Sequence, residues 1–203
     1  GKITLDLSGL LQGTAENSGS IDVASSTTKG GSATILGGEA ASSGSIDASG
    51  ATGGGLVRIG GDYQGGNANL SNAQTTNVSG SLSADSTSDG DGGRIIVWAD
   101  GVTTFTGDLS ATGSGSGSGG FAEVSGKNIL NFEGSVDLTA SNGQTGALLL
   151  DPTNISISSS SDSSNTGNPN FAPDGTPSSS VINLTTLNNA LQSANVTITT
   201  SSA

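Results

Sequence analysis

The sequence predicts an all-β protein, a right-handed parallel β-helix (β-solenoid) with about 27 residues and three short strands per rung. Two short motifs that recur in step along the chain carry this prediction. The first motif is spaced by 25, 36, 27 and 27 residues and begins at Gly19, Gly44, Gly80, Gly107 and Gly134. The second is spaced by 24, 38, 27 and 26 residues and begins at Gly31, Gly55, Gly93, Gly120 and Gly146.

Both motifs alternate apolar and polar residues with a period of two, which indicates strands with one buried face. The first motif predicts an inward column of Ile21, Ile46, Leu82, Leu109 and Val136. The second motif predicts an inward column of Ile3, Ala33, Val57, Ile95, Ala122 and Leu148. A weaker third column consists of Val78, Phe105 and Phe132. The fixed long period favours stacked rungs over a sandwich, whose turns recur without such stacking.

The composition limits the chemistry that the chain can perform. Its 203 residues carry a net charge of −12 and include no cysteine and no histidine. A disulfide framework, a thiolate nucleophile and an imidazole base or metal ligand are therefore excluded. The five basic residues are dispersed, whereas nucleic-acid binding needs clustered cations. Since the sequence also lacks an apolar run of about 18 residues, we expect neither nucleic-acid binding nor membrane insertion.

One rung, from Gly55 to Gly93, is about eleven residues longer than its neighbours. The excess predicts an insertion loop at about 61–74, because repeat insertions form loops on one face, often a binding face. By register, Trp98 lies near the root of this loop. Either the loop or a neighbouring segment covers this flank, or the flank is a contact surface for a partner or glycan. The candidate contact residues are Leu56, Tyr63, Arg94, Trp98 and Phe121.

An acidic turn offers a weak candidate for a calcium site. Asp85, Asp89 and Asp91 supply the carboxylates that Ca²⁺ prefers. Their spacing does not match a nonapeptide calcium repeat and does not recur, so a solvated turn is the favoured interpretation. No other metal site and no cofactor are predicted.

The regular rungs are expected to occupy residues 1–155. The Ser/Asn/Pro-rich residues 156–180 predict a loop or excursion, and residues 181–203 predict a strand, a short helix and a strand that continue the solenoid. The helix is expected at 185–192, with Thr185 as its cap. Because the chain starts without Met and ends in a strand-like run, we interpret it as a fragment that lacks its own signal peptide.

The stretch 92–158 carries a resemblance to a known family. Its specific parts are Gly-Gly-Phe-Ala-Glu-Val-Ser-Gly at 119–126 and Leu-Leu-Leu-Asp-Pro-Thr-Asn-Ile-Ser-Ile at 148–157, supported by TTLNNALQSANVTI at 185–198. These segments resemble filamentous haemagglutinin-type exoproteins of two-partner (type Vb) secretion. The resemblance implies a long β-helical fibre, secreted or at the bacterial cell surface, that an outer-membrane transporter partner exports. It also implies roles in adhesion, aggregation or biofilm formation.

Glycosylation is a further expectation that draws on the same resemblance, since some members of the family are modified on asparagine. The acceptor sequence for this modification, Asn-x-Ser/Thr, is weak evidence by itself in a chain so rich in Asn, Ser and Thr. The five Asn-x-Ser/Thr sequons begin at Asn69, Asn77, Asn154, Asn183 and Asn195.

We therefore expect a structural and adhesive fibre segment that is not an enzyme, with a host-cell, glycan or matrix receptor as its partner. One alternative is a polysaccharide-active, lyase-like β-helix enzyme, and another is a passive spacer that presents a distal toxin or binding domain. An enzyme needs clustered carboxylates, or Ca²⁺, beside a basic residue. Arg58 and Arg94 lie in outward columns and Glu123 can pair with either, for which a surface ion pair is the favoured interpretation.

Overall fold

The chain folds as a β-solenoid of about six turns, which confirms the predicted fold class. The computed structural model describes residues 1–7, 13–159 and 180–200. All pairings between the strands named below are parallel, and residues 27 positions apart pair in the regular rungs, as Arg94 does with Phe121. The alternating motifs produce this arrangement because each strand buries one face and finds its backbone partners in the rungs above and below.

Three parallel sheets form the sides of the rungs. The first sheet contains β1 (Lys2–Asp6), β4 (Ser32–Leu36), β7 (Leu56–Ile59), β10 (Arg94–Ala99), β13 (Phe121–Gly126), β16 (Ala147–Leu150) and β19 (Asn195–Ile198). The second contains β2 (Thr14–Asn17), β5 (Glu39–Ser42), β8 (Thr75–Val78), β11 (Val102–Phe105) and β14 (Ile129–Phe132). The third contains β3 (Ser20–Asp22), β6 (Ser45–Asp47), β9 (Ser81–Ser83), β12 (Asp108–Ser110) and β15 (Ser135–Asp137).

The core is a thin stack of the predicted inward columns. In the third sheet, Ile46, Leu82 and Leu109 lie in direct register and are each at most 2% exposed. In the second sheet, the rings of Phe105 and Phe132 stack with their centroids 5.7 Å apart. Ile3, in the outermost described strand of the first sheet, is 39% exposed. Each inner rung is therefore covered on both sides by similar rungs, while the outermost described rung is not.

The second sheet also contains a polar inward column that the alternation did not predict. Thr76 and Thr103 are completely buried and lie in register. The Thr76 hydroxyl donates to the carbonyl of Trp98 at 2.6 Å, and the Thr103 hydroxyl donates to the carbonyl of Ser125 at 2.7 Å. These bonds satisfy the buried hydroxyls and tie the ends of β10 and β13 to the second sheet.

The C-terminal part of the chain contains the helix and strands expected there. β17 (Ile155–Ser158) pairs with β18 (Ser180–Asn183), and β19 follows helix α1 (Leu184–Ser193) and pairs with β16 in the first sheet. The strand β17 therefore overlaps the first residues of 156–180, where a loop or excursion was expected. Residues 160–179 lie outside the described residues.

The cap predicted for the helix was wrong. The helix begins at Leu184, and its N-cap is Asn183, whose side chain accepts the backbone N–H of Thr185 at 2.7 Å. Thr185 itself already lies within the first turn. An asparagine is an equally good cap, and its position just before the helix lets it satisfy an amide that has no partner within the helix.

Candidate functional site

The insertion loop leaves the first sheet after β7 and forms a single 3-10 turn at Tyr63–Gly65. Asp62 caps this turn by accepting the backbone N–H of Tyr63 at 2.9 Å. The same carboxylate accepts a hydrogen bond from Asn67 at 2.8 Å and forms an ion pair with Arg58 at 2.9 Å. Partial burial raises the pKa of Asp62, but these hydrogen bonds outweigh it, so the net pKa lies below its ordinary value. The loop is therefore fixed at its root by one carboxylate.

The loop covers the indole of Trp98, which is only 2% exposed. The indole N–H donates a hydrogen bond to Asp100 at 3.0 Å. The side-chain amide of Asn72 donates to the same carboxylate and to the carbonyl of Gly65, each at 3.0 Å. Gly65 has φ +62°, and a Cβ there would lie 2.7 Å from the indole ring. Only glycine permits such a close approach of loop and ring. Trp98, one of the expected contact residues, therefore lies in a covered part of the flank and is not offered to a partner.

Three other expected contact residues, Tyr63, Arg94 and Phe121, come together beside the covered tryptophan and form what we call the aromatic wall. The Arg94 guanidinium carbon lies 4.9 Å from the centre of the Tyr63 ring and 4.5 Å from that of Phe121. The two rings meet edge to face at 5.8 Å, and Tyr63 is 42% exposed. The fifth expected residue, Leu56, pairs with Arg94 in the neighbouring strand and is half-buried. Stacking on two rings fixes the orientation of the guanidinium plane.

Beneath the loop lies the buried carboxyl group of Glu123, whose contact with the loop was not predicted from the sequence. The Glu123 side chain is completely buried, and both its oxygens accept the backbone N–H of Gln64, at 3.0 and 3.2 Å. Gln64 has a left-handed backbone with φ +51°, and its side-chain amide donates to Asp151 at 3.2 Å. Burial raises the pKa of Glu123 to about 7, although hydrogen bonds from Gln64 and Ser125 oppose the shift. Glu123 therefore joins the loop to the first sheet.

The expected surface ion pair between Glu123 and an arginine was wrong. Arg58 pairs with Asp62, and the only ion pair in the described ranges is this one. Arg94 stacks on the aromatic wall, and Glu123 faces the loop backbone. The outward position of Glu123 in its strand suggested solvent, but the loop closes over that position.

The acidic turn is used to connect rungs. Asp85, Asp89 and Asp91 each accept a backbone N–H from the residue 27 positions later in the next rung, and hydroxyls of that next rung donate further bonds to Asp85 and Asp89. The donors are Thr112 for Asp85 at 2.7 Å, Ser116 for Asp89 at 2.8 Å and Ser118 for Asp91 at 2.8 Å. Among the described residues, no group of three or more acidic, His or Cys side chains could hold a metal ion. The geometry thus assigns these carboxylates to rung-to-rung bonding.

The five sequon asparagines lie in different settings. Four are exposed: Asn69, Asn77, Asn154 and Asn195. The fifth, Asn183, uses its side chain as the helix cap. The Asn195 side chain also donates to the carbonyl of Thr145 at 2.6 Å. Modification of Asn69, Asn77 and Asn154 therefore requires the least local rearrangement, and glycosylation at all five stays a prediction.

The fold and this flank define the class of the molecule as a β-solenoid repeat protein with one loop-covered face. In comparisons with known proteins, no family model matches the chain, and no curated protein is significantly similar to it. In the described ranges, no helix combines the length and the apolar character that crossing a membrane requires.

Proposed function

We propose that this chain is a structural and adhesive segment of a large secreted bacterial surface fibre and that it is not an enzyme. The observation that carries the proposal is the continuous parallel register of the first sheet through seven strands. Its six intervals of about 4.8 Å make a segment roughly 30 Å long. Because every inner rung presents the same backbone edge to the next, the fold extends by adding rungs, which suits a fibre.

The aromatic wall favours adhesion over a purely passive spacer. The exposed Tyr63 ring and the guanidinium stacked on it lie outside the core, and they resemble the residues that dominate binding surfaces. The resemblance to two-partner secretion exoproteins supports the same proposal. It also suggests export through an outer-membrane transporter and a host-cell, glycan or matrix receptor as partner.

The proposal is tested by attaching the folded chain to beads and counting the beads that cultured host cells or bacterial cells retain after washing. We expect several-fold more retention than for beads that carry the same mass of an inert protein. Retention should be lost when the chain on the beads has been unfolded, because adhesion requires the assembled surface. Retention of the folded chain no greater than that of the inert protein would contradict adhesion and leave a spacer role.

A further inference from the structure

A shallow groove of about 820 Å³ runs across the first sheet at the start of its strands. It spans five rungs, from Gly1 through Ser32, Leu56 and Arg94 to Phe121, a distance of roughly 19 Å at about 4.8 Å per rung. Arg94 and Phe121 of the aromatic wall lie along one side. Lys29, Asp91 and Ser118 lie in the turn segments that precede the strands and also line the groove.

The glycine floor of the groove is explained by the solenoid alone. A Cβ on Gly55 or Gly120 would lie 2.0–2.1 Å from the carbonyl oxygen of the preceding rung. The floor amides are also occupied, since the N–H groups of Gly55 and Gly120 donate to Ala48 and Ala111 at 2.8 and 2.7 Å. A polypeptide strand that binds by extending a sheet needs free backbone groups at an edge, and this floor does not offer them. Recognition in the groove must therefore come from side chains.

The lining of the groove is less acidic than the rest of the molecule. The chain has five basic residues and a net charge of −12, yet Lys29 and Arg94 both line the groove, against one carboxylate, Asp91. That carboxylate already accepts the backbone N–H of Ser118. Within the described part of the chain, the side chains of Lys29 and Arg94 form no ion pair. The groove thus has two cations and one carboxylate along it, with the buried Glu123 carboxyl near Arg94, and its cations suit a ligand with carboxylate groups.

Arg94 is the side chain best prepared for such a ligand. Its guanidinium is held by two aromatic rings and makes no hydrogen bond to a protein side chain among the described residues. A guanidinium fixed in this way can donate two parallel hydrogen bonds to one carboxylate at little entropic cost. The hydroxyls of Ser32 and Ser118 line the same groove and are suited to the hydroxyl groups of a sugar.

We propose that this groove binds an acidic polysaccharide, a chain of uronic-acid type, with Arg94 as the principal carboxylate contact. The inference deepens the adhesive function proposed above and rests on it. An extended sugar chain fits because it can lie across the rungs and be held by side chains alone. An acidic peptide shares the charge but would forgo the backbone hydrogen bonds by which extended peptides bind.

The test is calorimetric titration of the chain with hexagalacturonate. We expect saturable binding that Arg94→Gln weakens at least about tenfold, because a charge-assisted bidentate contact is lost. Arg94→Lys should fall between the two, since it keeps the charge but loses the fork. The matched control is Lys127→Gln, which removes the same charge at the far end of β13 and should change the affinity by less than about twofold. Thermal unfolding and the fluorescence of the buried Trp98 establish that each variant is folded.

The inference is overturned if hexagalacturonate does not bind saturably, or if Arg94→Gln and Lys127→Gln weaken binding equally. Equal binding of the neutral hexasaccharide cellohexaose would show that carboxylates are not recognised, and equal binding of hexaglutamate would assign the groove to peptides. Bead retention separates this inference from the proposed function. If beads that carry the wild-type chain adhere to cells but the chain does not bind hexagalacturonate, the adhesive function stands and only the inference about the groove fails.

Discussion

Replacing Gly107 by alanine is expected to destabilise the solenoid by at least about 3 kcal/mol. Gly107 opens β12, and a Cβ there would lie 2.0 Å from the carbonyl oxygen of Gly80 in the preceding rung. That carbonyl also accepts the N–H of Asp108 at 3.2 Å, so it cannot move away without breaking the ladder. Because each rung is the template for the next, the damage should spread to both neighbours. Urea unfolding followed by circular dichroism measures the loss.

The matched control is Gly19→Ala, in the first rung of the same glycine column. A Cβ on Gly19 meets no atom within 4 Å, because β3, which follows it, is the outermost described strand of the third sheet. We expect its free energy of unfolding to stay within about 0.5 kcal/mol of the wild type. If both variants were equally stable, the close approach of rungs at these corners would not be what requires glycine.

Replacing Glu123 by glutamine is expected to remove a pH dependence of stability. Burial raises the pKa of Glu123 from an ordinary value of 4.5 to about 7 in the folded chain. A carboxyl whose folded pKa is raised stabilises the fold fully below pH 4.5, and this contribution is lost as the pH rises towards and through 7. The loss is on the order of 3 kcal/mol. Glutamine keeps an oxygen that can accept the Gln64 N–H but has no charge to bury, so the variant should gain stability relative to the wild type at pH 8.

The measurement is the difference in unfolding free energy between wild type and variant at pH 4, 6 and 8, with Trp98 fluorescence reporting the docked loop. Charged groups that face Glu123 are Asp151, which opposes its ionisation, and Arg94, which favours it. Glu16→Gln is the control, because Glu16 is exposed on β2 and its replacement should give a flat difference. If the difference in unfolding free energy for Glu123→Gln were also independent of pH, the loop would not desolvate the carboxyl group.

The first and third sheets could be predicted from the sequence because their inward positions are large and apolar and alternate with polar residues. Only part of the second sheet could be predicted from the sequence. Its inward column changes from Ala15 and Ala40 to Thr76 and Thr103, and the threonines are satisfied by carbonyl groups from the neighbouring sheet. A buried threonine of this kind cannot be distinguished by sequence from an exposed one, because its partner comes from about 22 residues away.

The insertion loop could be located from the excess length of its rung, but its partners could not. Glu123 occupies an outward position, which the alternation assigns to solvent, and its burial depends on where a loop some 59 residues earlier folds back. The aromatic wall was partly predictable, since Arg94 and Phe121 are direct register partners. The contribution of Tyr63 depends on the left-handed backbone of the turn that follows it, which a glutamine does not signal.

Under the proposed function, this solenoid would bind polysaccharides without cleaving them. The most direct test of this is incubation of the purified chain with polygalacturonate, alginate and hyaluronate, while new reducing ends and unsaturated products are followed over time. We expect no more product than in buffer, because the carboxylates nearest the groove's arginine are already bonded, Asp91 to the backbone of Ser118 and Glu123 to the backbone of Gln64. Product that accumulates with time and with the amount of chain would contradict this expectation and assign the β-solenoid to a polysaccharide-cleaving enzyme.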